Sequence, residues 1–267
     1  MNQPQTHPDL SEWLDELVAQ GRTSFTTSDA NIAHGGEDAA VQGVLRRLRA
    51  KRRIASPLRG FHLILPPEYR ALGCLPPVWF ADDLAAHLRS PYYVALLSAA
   101  ELHGSAHQRP QMFQIMLPCP HRPVRCGGVH LGFTMRNNVA EMPVVTRNTP
   151  KGTVRIATAE TTAFDLVGYA DRVGGLDRVA AVLSELVESL DAGALLAQAS
   201  LSPLPWSQRL GYLLEHVGAA NMANKLEQWV RSRSASIVPL DVAHPDDGGP
   251  RDPRWRLIAN AHIEVEP

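Results

Sequence analysis

The sequence predicts an α+β protein: an N-terminal winged helix-turn-helix followed by a larger mixed α+β domain. Three observations carry this. Three short helical patterns between residues 9 and 53 are followed directly by a two-strand pattern. A proline-bounded connector, PPEYRALGCLPP, then divides the chain, so the domains are expected at 1–68 and 69–267. Beyond it, strand-like runs precede a series of helical runs with no internal repeat.

The first helix is expected in HPDLSEWLDELVAQGR. Asp9 and Glu12 have capping-box spacing, Leu10, Trp13, Leu14 and Leu17 recur at helical steps, and Gly21 ends the run. A second, shorter helix is expected to start at Thr27 as N-cap and to close at Gly35 and Gly36. The third runs from about Glu37 to Lys51. Val41, Val44, Leu45 and Leu48 form its apolar face. Gln42, Arg46, Arg49 and Arg53 lie on another face, with Arg47 at its edge. RIASPLRGFHLI then reads as a hairpin around Pro57–Gly60, with Arg59 at its tip.

Charge singles out this module. Seven Lys or Arg residues lie between Arg46 and Arg59 without an acid, although the whole chain has a formal net charge of -1. In a winged helix the third helix enters the major groove and the wing touches phosphate. Guanidinium forks suit both phosphate and guanine edges. Arg46, Arg47, Arg49, Lys51, Arg52, Arg53 and Arg59 are therefore the candidate DNA-binding residues for phosphate, with Gln42 and Arg46 for base edges. The competing reading is an ordinary solvated charged helix. A second basic stretch, 104–157, holds Arg109, Arg122, Arg125, Arg136, Arg147, Lys151 and Arg155 against Glu141 alone. Two uses are open to it: lengthening a DNA footprint, or facing an acidic protein partner.

In the second domain, helices are expected after Pro76–Pro77 and in YYVALLSAAELHG. Strands are expected in MFQIMLP, GVHLGFTM, MPVVTR and TVRIAT. Helices follow at about 159–172, 176–190, 192–199, 205–217 and 220–231, and IVPLD and WRLIANAHIEV close the chain as strands.

Enzymatic signatures are weak. Cys119, His121, Cys126 and His130 fall within twelve residues, but their spacing matches no usual zinc site and the segment reads as a loop. Glu101 and His103 beside His107 lack a nucleophile, and Asp165 and Asp171 lie six apart on different helix faces. No phosphate-binding loop, dinucleotide fingerprint or nucleophile elbow occurs. The expectation is a non-enzyme with neither cofactor nor metal. Three cysteines give no disulfide framework, the acidic start does not read as a signal peptide, and no apolar run spans a membrane. These features predict a cytoplasmic protein without a membrane partner.

The ordered set LRRLRAKRRIASPLRGFHLILPPEYR, PYYVALLSAAELHG with QMFQIMLP, RIATAETTAFDLVGY and WRLIANAHIE resembles the AbiEi-type antitoxins of bacterial toxin–antitoxin and abortive-infection systems. The resemblance covers nearly the whole chain. It implies a winged helix that represses its own operon at inverted repeats in promoter DNA. It also implies a second domain that neutralises a nucleotidyltransferase-like toxin, directly or indirectly, in phage defence. The residues alone leave two alternatives: a stand-alone winged-helix regulator with a sensing second domain, and a metal enzyme built on the Cys/His loop.

Overall fold

The computed structural model describes residues 9–35, 38–105, 110–244 and 248–263. In chain order the elements are α1 (Leu10–Ala19), β1 (Ser24–Thr26), α2 (Thr27–His34), α3 (Asp38–Ala50), β2 (Ile54–Leu58), β3 (Phe61–Ile64), α4 (Ala81–Leu88), β4 (Tyr93–Val94) and α5 (Leu96–Leu102). Then come β5 (Phe113–Leu117), β6 (Val124–Cys126), β7 (Val129–Met135), β8 (Val144–Thr149), β9 (Gly152–Ala157), α6 (Ala159–Gly168), α7 (Leu176–Leu186) and α8 (Ala192–Ser200). The chain closes with α9 (Leu204–His216), α10 (Ala220–Arg231), β10 (Val238–Pro239), β11 (Arg251–Asp252) and β12 (Leu257–Ile258).

Two compact units emerge. One comprises residues 1–92, 111–137 and 146–155; the other comprises 93–110, 138–145 and 156–267. The winged helix-turn-helix is present in the first unit, which also holds α4 and the β5–β7 strands.

The periodicity of α1 and α3 explains the first core. Leu10, Leu14 and Leu17 of α1 meet Val41, Leu45 and Leu48 of α3, with Phe25, Ala30, Ile54 and Ile64 completing the cluster. Trp13 and Val44 pack on its margin. Asp9 caps α1 by accepting from the Ser11 N–H at 3.0 Å. The wing is a three-stranded sheet in the order β1-β3-β2, and β1 was not expected from its three residues. The N-cap of α2 is Thr26 rather than Thr27. Thr26 Oγ1 accepts from the Asp29 N–H at 3.1 Å, and the Asp29 carboxylate accepts from the Thr26 N–H at 2.8 Å. Thr27 instead uses its hydroxyl on the His62 ring, 2.9 Å away. Pro57 sits where the β2–β3 register shifts, a bulge that tolerates a residue without an N–H. Gly60 makes the tip turn with φ 78°, a conformation a side chain would strain.

In the same unit β7 runs antiparallel to β6 and parallel to β5. The segment read as a loop at Val124–Cys126 is thus a strand, because its N–H and C=O groups find partners on β7. Tyr92–Val94 is not the start of a helix. Tyr93 and Val94 form β4, paired parallel to β9 through Val94 and Ile156, and α5 begins only at Leu96. The helix expected over 159–172 stops at Gly168, followed by a 3-10 turn at Ala170–Arg172; that over 176–190 likewise ends in a 3-10 turn at Val187–Ser189. The closing segment contributes the two-residue β12, flanked by β10 and β11.

The hub of the second unit is α6, buried from Ala159 to Val167 and packed by α5, α7, α8 and α9. A helix with Glu160, Thr161, Thr162 and Asp165 can be buried only if each polar group is satisfied. Thr158 caps it, accepting from the Thr161 N–H at 3.2 Å. Thr162 donates to Thr158 O at 2.8 Å, and Glu160 accepts from the Asp191 N–H at 2.9 Å. Asp165 accepts from the Tyr93 hydroxyl at 3.0 Å.

Leu45 has 0% exposure in the first core. Replacing it with Asp buries a carboxylate without a partner, and a loss of more than about 3 kcal/mol is expected. Circular dichroism melts and limited proteolysis should show a winged helix that no longer resists cleavage. An equally resistant variant would mean that α3 turns a different face to the core.

Candidate nucleic-acid interface

Burying Val41, Leu45 and Leu48 forces the other side of α3 outward. Gln42, Arg46, Arg47 and Arg49 are all exposed, as are Lys51, Arg52 and Arg59 beyond the helix. Gln42 and Arg49 join Arg59 and Gly60 of the wing tip along one groove of about 690 Å³, lined also by Thr27, Asp38, Ser56 and His62. Helix and wing therefore present polar and basic groups to the same space.

Two of the expected basic residues carry structural duties. Arg53 donates from Nη2 to Asp15 Oδ1 at 2.6 Å, fastening the end of α3 to α1. Arg52 adopts a left-handed conformation, φ 51°, and its Nη1 donates to Arg70 O at 3.3 Å. Neither partner lies close in sequence, so periodicity could not foretell these contacts.

Under the groove lies His62, which the sequence reading did not single out. It is 4% exposed, with Nε2 2.9 Å from Thr27 Oγ1 and Nδ1 2.7 Å from Ser56 Oγ. Hydroxyls donate or accept, so they complement either neutral tautomer. Burial, with the Arg49 and His87 charges nearby, lowers its pKa to about 4. The ring ties α2, β2 and β3 together in its neutral form. The wing tip has a further support, as His87 Nε2 lies 3.1 Å from Arg59 O.

The second basic stretch is dispersed. Arg125 on β6 is exposed and lines a cleft with Arg49 and Arg52. Arg122 and Arg147 are exposed, Lys151 and Arg155 half-buried, and Arg109 lies outside the described residues. Arg136 is not a surface group: it is 5% exposed just after β7, where its N–H donates to Leu117 O at 2.9 Å.

The Cys/His segment does not gather around a metal position. Cys119 is exposed, His121 packs edge-on to Phe133 with ring centroids 4.7 Å apart, and Cys126 is buried beside Gly73. Among the described residues no group of three or more His, Cys, Asp or Glu is placed to hold a metal ion. His103 bonds Ala157 O through Nε2 at 2.7 Å, while His107 lies outside the described residues. Asp165 is buried and Asp171 exposed, so they do not form a pair. Among the described residues no helix is long and apolar enough to cross a membrane.

Since the folded-state pKa of His62 is below that of a free imidazole, protonation favours unfolding. The stability His62 contributes is present above pH 6.5 and is lost as pH drops through 6.5 toward 4, by on the order of 3 kcal/mol. Urea melts of wild type and His62→Gln across this range should diverge, with the wild type losing more. Parallel losses would contradict the buried neutral ring.

The comparisons with known proteins agree with this architecture. The crystal structure of the RV2827C protein from Mycobacterium tuberculosis is similar over 93% of this chain and 90% of that chain, with a TM-score of 0.68 at 18% identity. This likeness is one of fold. No curated protein sequence matches the chain. The family model for the AbiEi antitoxin C-terminal domain matches residues 93–216, a span that takes in α5 and the buried helix α6 through to α9. Residues 93–216 are thus similar to the AbiEi antitoxin C-terminal domain, and in this chain they follow a winged helix-turn-helix.

Proposed function

We propose that this protein is the antitoxin and autorepressor of a bacterial toxin–antitoxin pair, acting in the cytoplasm as a non-enzyme in phage defence. The winged helix within residues 1–68 binds inverted repeats in the promoter of its own operon, and the remainder, 69–267, neutralises a nucleotidyltransferase-like toxin. The antitoxin half of this reading is supported by the family match at 93–216. The repressor half rests on one observation: the groove that Gln42 and Arg49 of α3 share with Arg59 of the wing.

On DNA, Gln42 and Arg46 supply side chains that reach base edges from the exposed face of α3. An amide matches adenine N6 and N7, and a guanidinium matches guanine O6 and N7. Arg47, Arg49, Lys51 and Arg59 contact the flanking phosphates, joined by Arg52 and Arg53 where their intramolecular bonds are exchanged for phosphate. Each phosphate neutralised releases condensed cations, so binding is driven largely by the entropy of that release.

With about six phosphates neutralised, log affinity for a promoter duplex should fall with log salt at a slope near -5. The full-length Arg46→Ala/Arg49→Ala/Arg59→Ala variant should bind weakly with a flatter slope and fail to repress a promoter reporter. It should still rescue cells from the co-expressed adjacent toxin. Unchanged affinity and slope would remove α3 and the wing from the interface. Loss of rescue in a folded variant would overturn the division of labour.

A further inference from the structure

The first unit contains two buried free thiols, Cys74 and Cys126, that neither proposed role uses. Their segments are far apart in sequence but pinned together through the backbone. The Gly128 N–H donates to Leu72 O at 2.9 Å. A Cβ on Gly127, itself at φ 55°, would stand 2.2 Å from Leu72 O, so only glycine permits this approach. As a result the Cys126 thiol donates to Gly73 O at 3.8 Å, next to Cys74 in the chain, and its sulfur is within hydrogen-bonding reach of the Cys74 thiol and of the Ser56 N–H of β2. Accepting these bonds lowers the pKa of Cys126; donating, together with burial, raises that of Cys74.

The pair is also reachable. Cys126 lines a cleft of about 620 Å³ together with Arg49, Arg52 and Arg125, while Cys74 has 0% exposure. A thiol in the wall of a basic cleft, with a second thiol against it, is the arrangement of a peroxide-sensitive dithiol.

We propose that Cys74 and Cys126 form a reversible modification site, at which a hydroperoxide converts the two thiols into an intramolecular disulfide that changes the wing. The Cys126 thiolate attacks the peroxide oxygen and the O–O bond breaks. An alcohol, or water from hydrogen peroxide, leaves, and Cys126 is oxidised to a sulfenic acid. The Cys74 sulfur then attacks the Cys126 sulfur. The S–O bond breaks, and the departing hydroxide takes the Cys74 proton to leave as water. Two thiols and one hydroperoxide thus give one disulfide, one alcohol and one water.

The link to the wing is Ser56. Its N–H meets Cys126 sulfur, and its hydroxyl bonds His62 Nδ1 at 2.7 Å. Drawing Cys126 onto Cys74 withdraws the acceptor from β2 at its bulge. The consequence for DNA, which rests on the proposed repressor role, is weaker binding by the oxidised form.

The test uses the reduced full-length protein in a Cys119→Ser background, treated with equimolar hydrogen peroxide and then alkylated and digested. Mass spectrometry should find a Cys74–Cys126-linked peptide that dithiothreitol removes and that Cys74→Ser or Cys126→Ser abolishes. Hydrogen exchange across Ile54–Leu58 should quicken on oxidation, and affinity for a duplex of the chain's own upstream DNA should fall several-fold. Two surviving thiols, or Cys126 sulfinic acid without a link, would overturn the site. A linked peptide with unchanged exchange in β2 would overturn its coupling to the wing. Both readouts stand even if the protein binds no DNA, which separates this failure from that of the repressor reading.

Discussion

The first unit depends on the burial of one stripe of α3. Val41, Leu45 and Leu48 close the core against Leu10, Leu14 and Leu17 of α1. At about 1.5–3 kcal/mol for each large apolar side chain fully removed from water, this stripe sets the rotation of α3 about its axis. Gln42, Arg46 and Arg49 have no freedom to choose a side once that rotation is fixed. The basic face is therefore a consequence of the apolar one. His62 then fixes the wing relative to the helix, since a neutral ring bonded to Thr27 and Ser56 joins α2 to β2 while the ring itself sits on β3.

The second unit solves a different problem. Its central helix α6 carries four polar side chains at full burial, and each has a partner. Such an arrangement sacrifices some apolar burial for a set of bonds that only one packing satisfies. RIATAETTAFDLVGY, one of the segments that carries the family resemblance, holds this helix. Its threonines and acids thus have structural duties, and none of them needs a catalytic explanation.

What the sequence made legible follows from what is local. The apolar steps of α1 and α3 and the Arg59–Gly60 turn depend on neighbours a few residues away, and the structure places them as read. The failures depend on distant partners. Thr26 displaces Thr27 as N-cap because the Thr27 hydroxyl is taken by His62, thirty-five residues on. Ser24–Thr26 is a strand only because β3 is there to pair with it. Tyr92–Val94 has helix-compatible neighbours, but pairing with β9 and the Tyr93–Asp165 bond hold it extended. In the candidate site, composition marked the arginines but could not tell that Arg53 is held by Asp15 or that Arg136 is buried. His62 gave no pattern signal, since a single histidine in an apolar strand has no period to betray it.

The central claim is that the groove between α3 and the wing is where DNA sits. Hydrogen exchange of the full chain with and without a promoter duplex tests it without any substitution. Protection is expected across Gln42–Arg53 and at Leu58–Phe61, with α10 unaffected. Protection confined to the second unit, with α3 and the wing tip exchanging at their free rates, would contradict it.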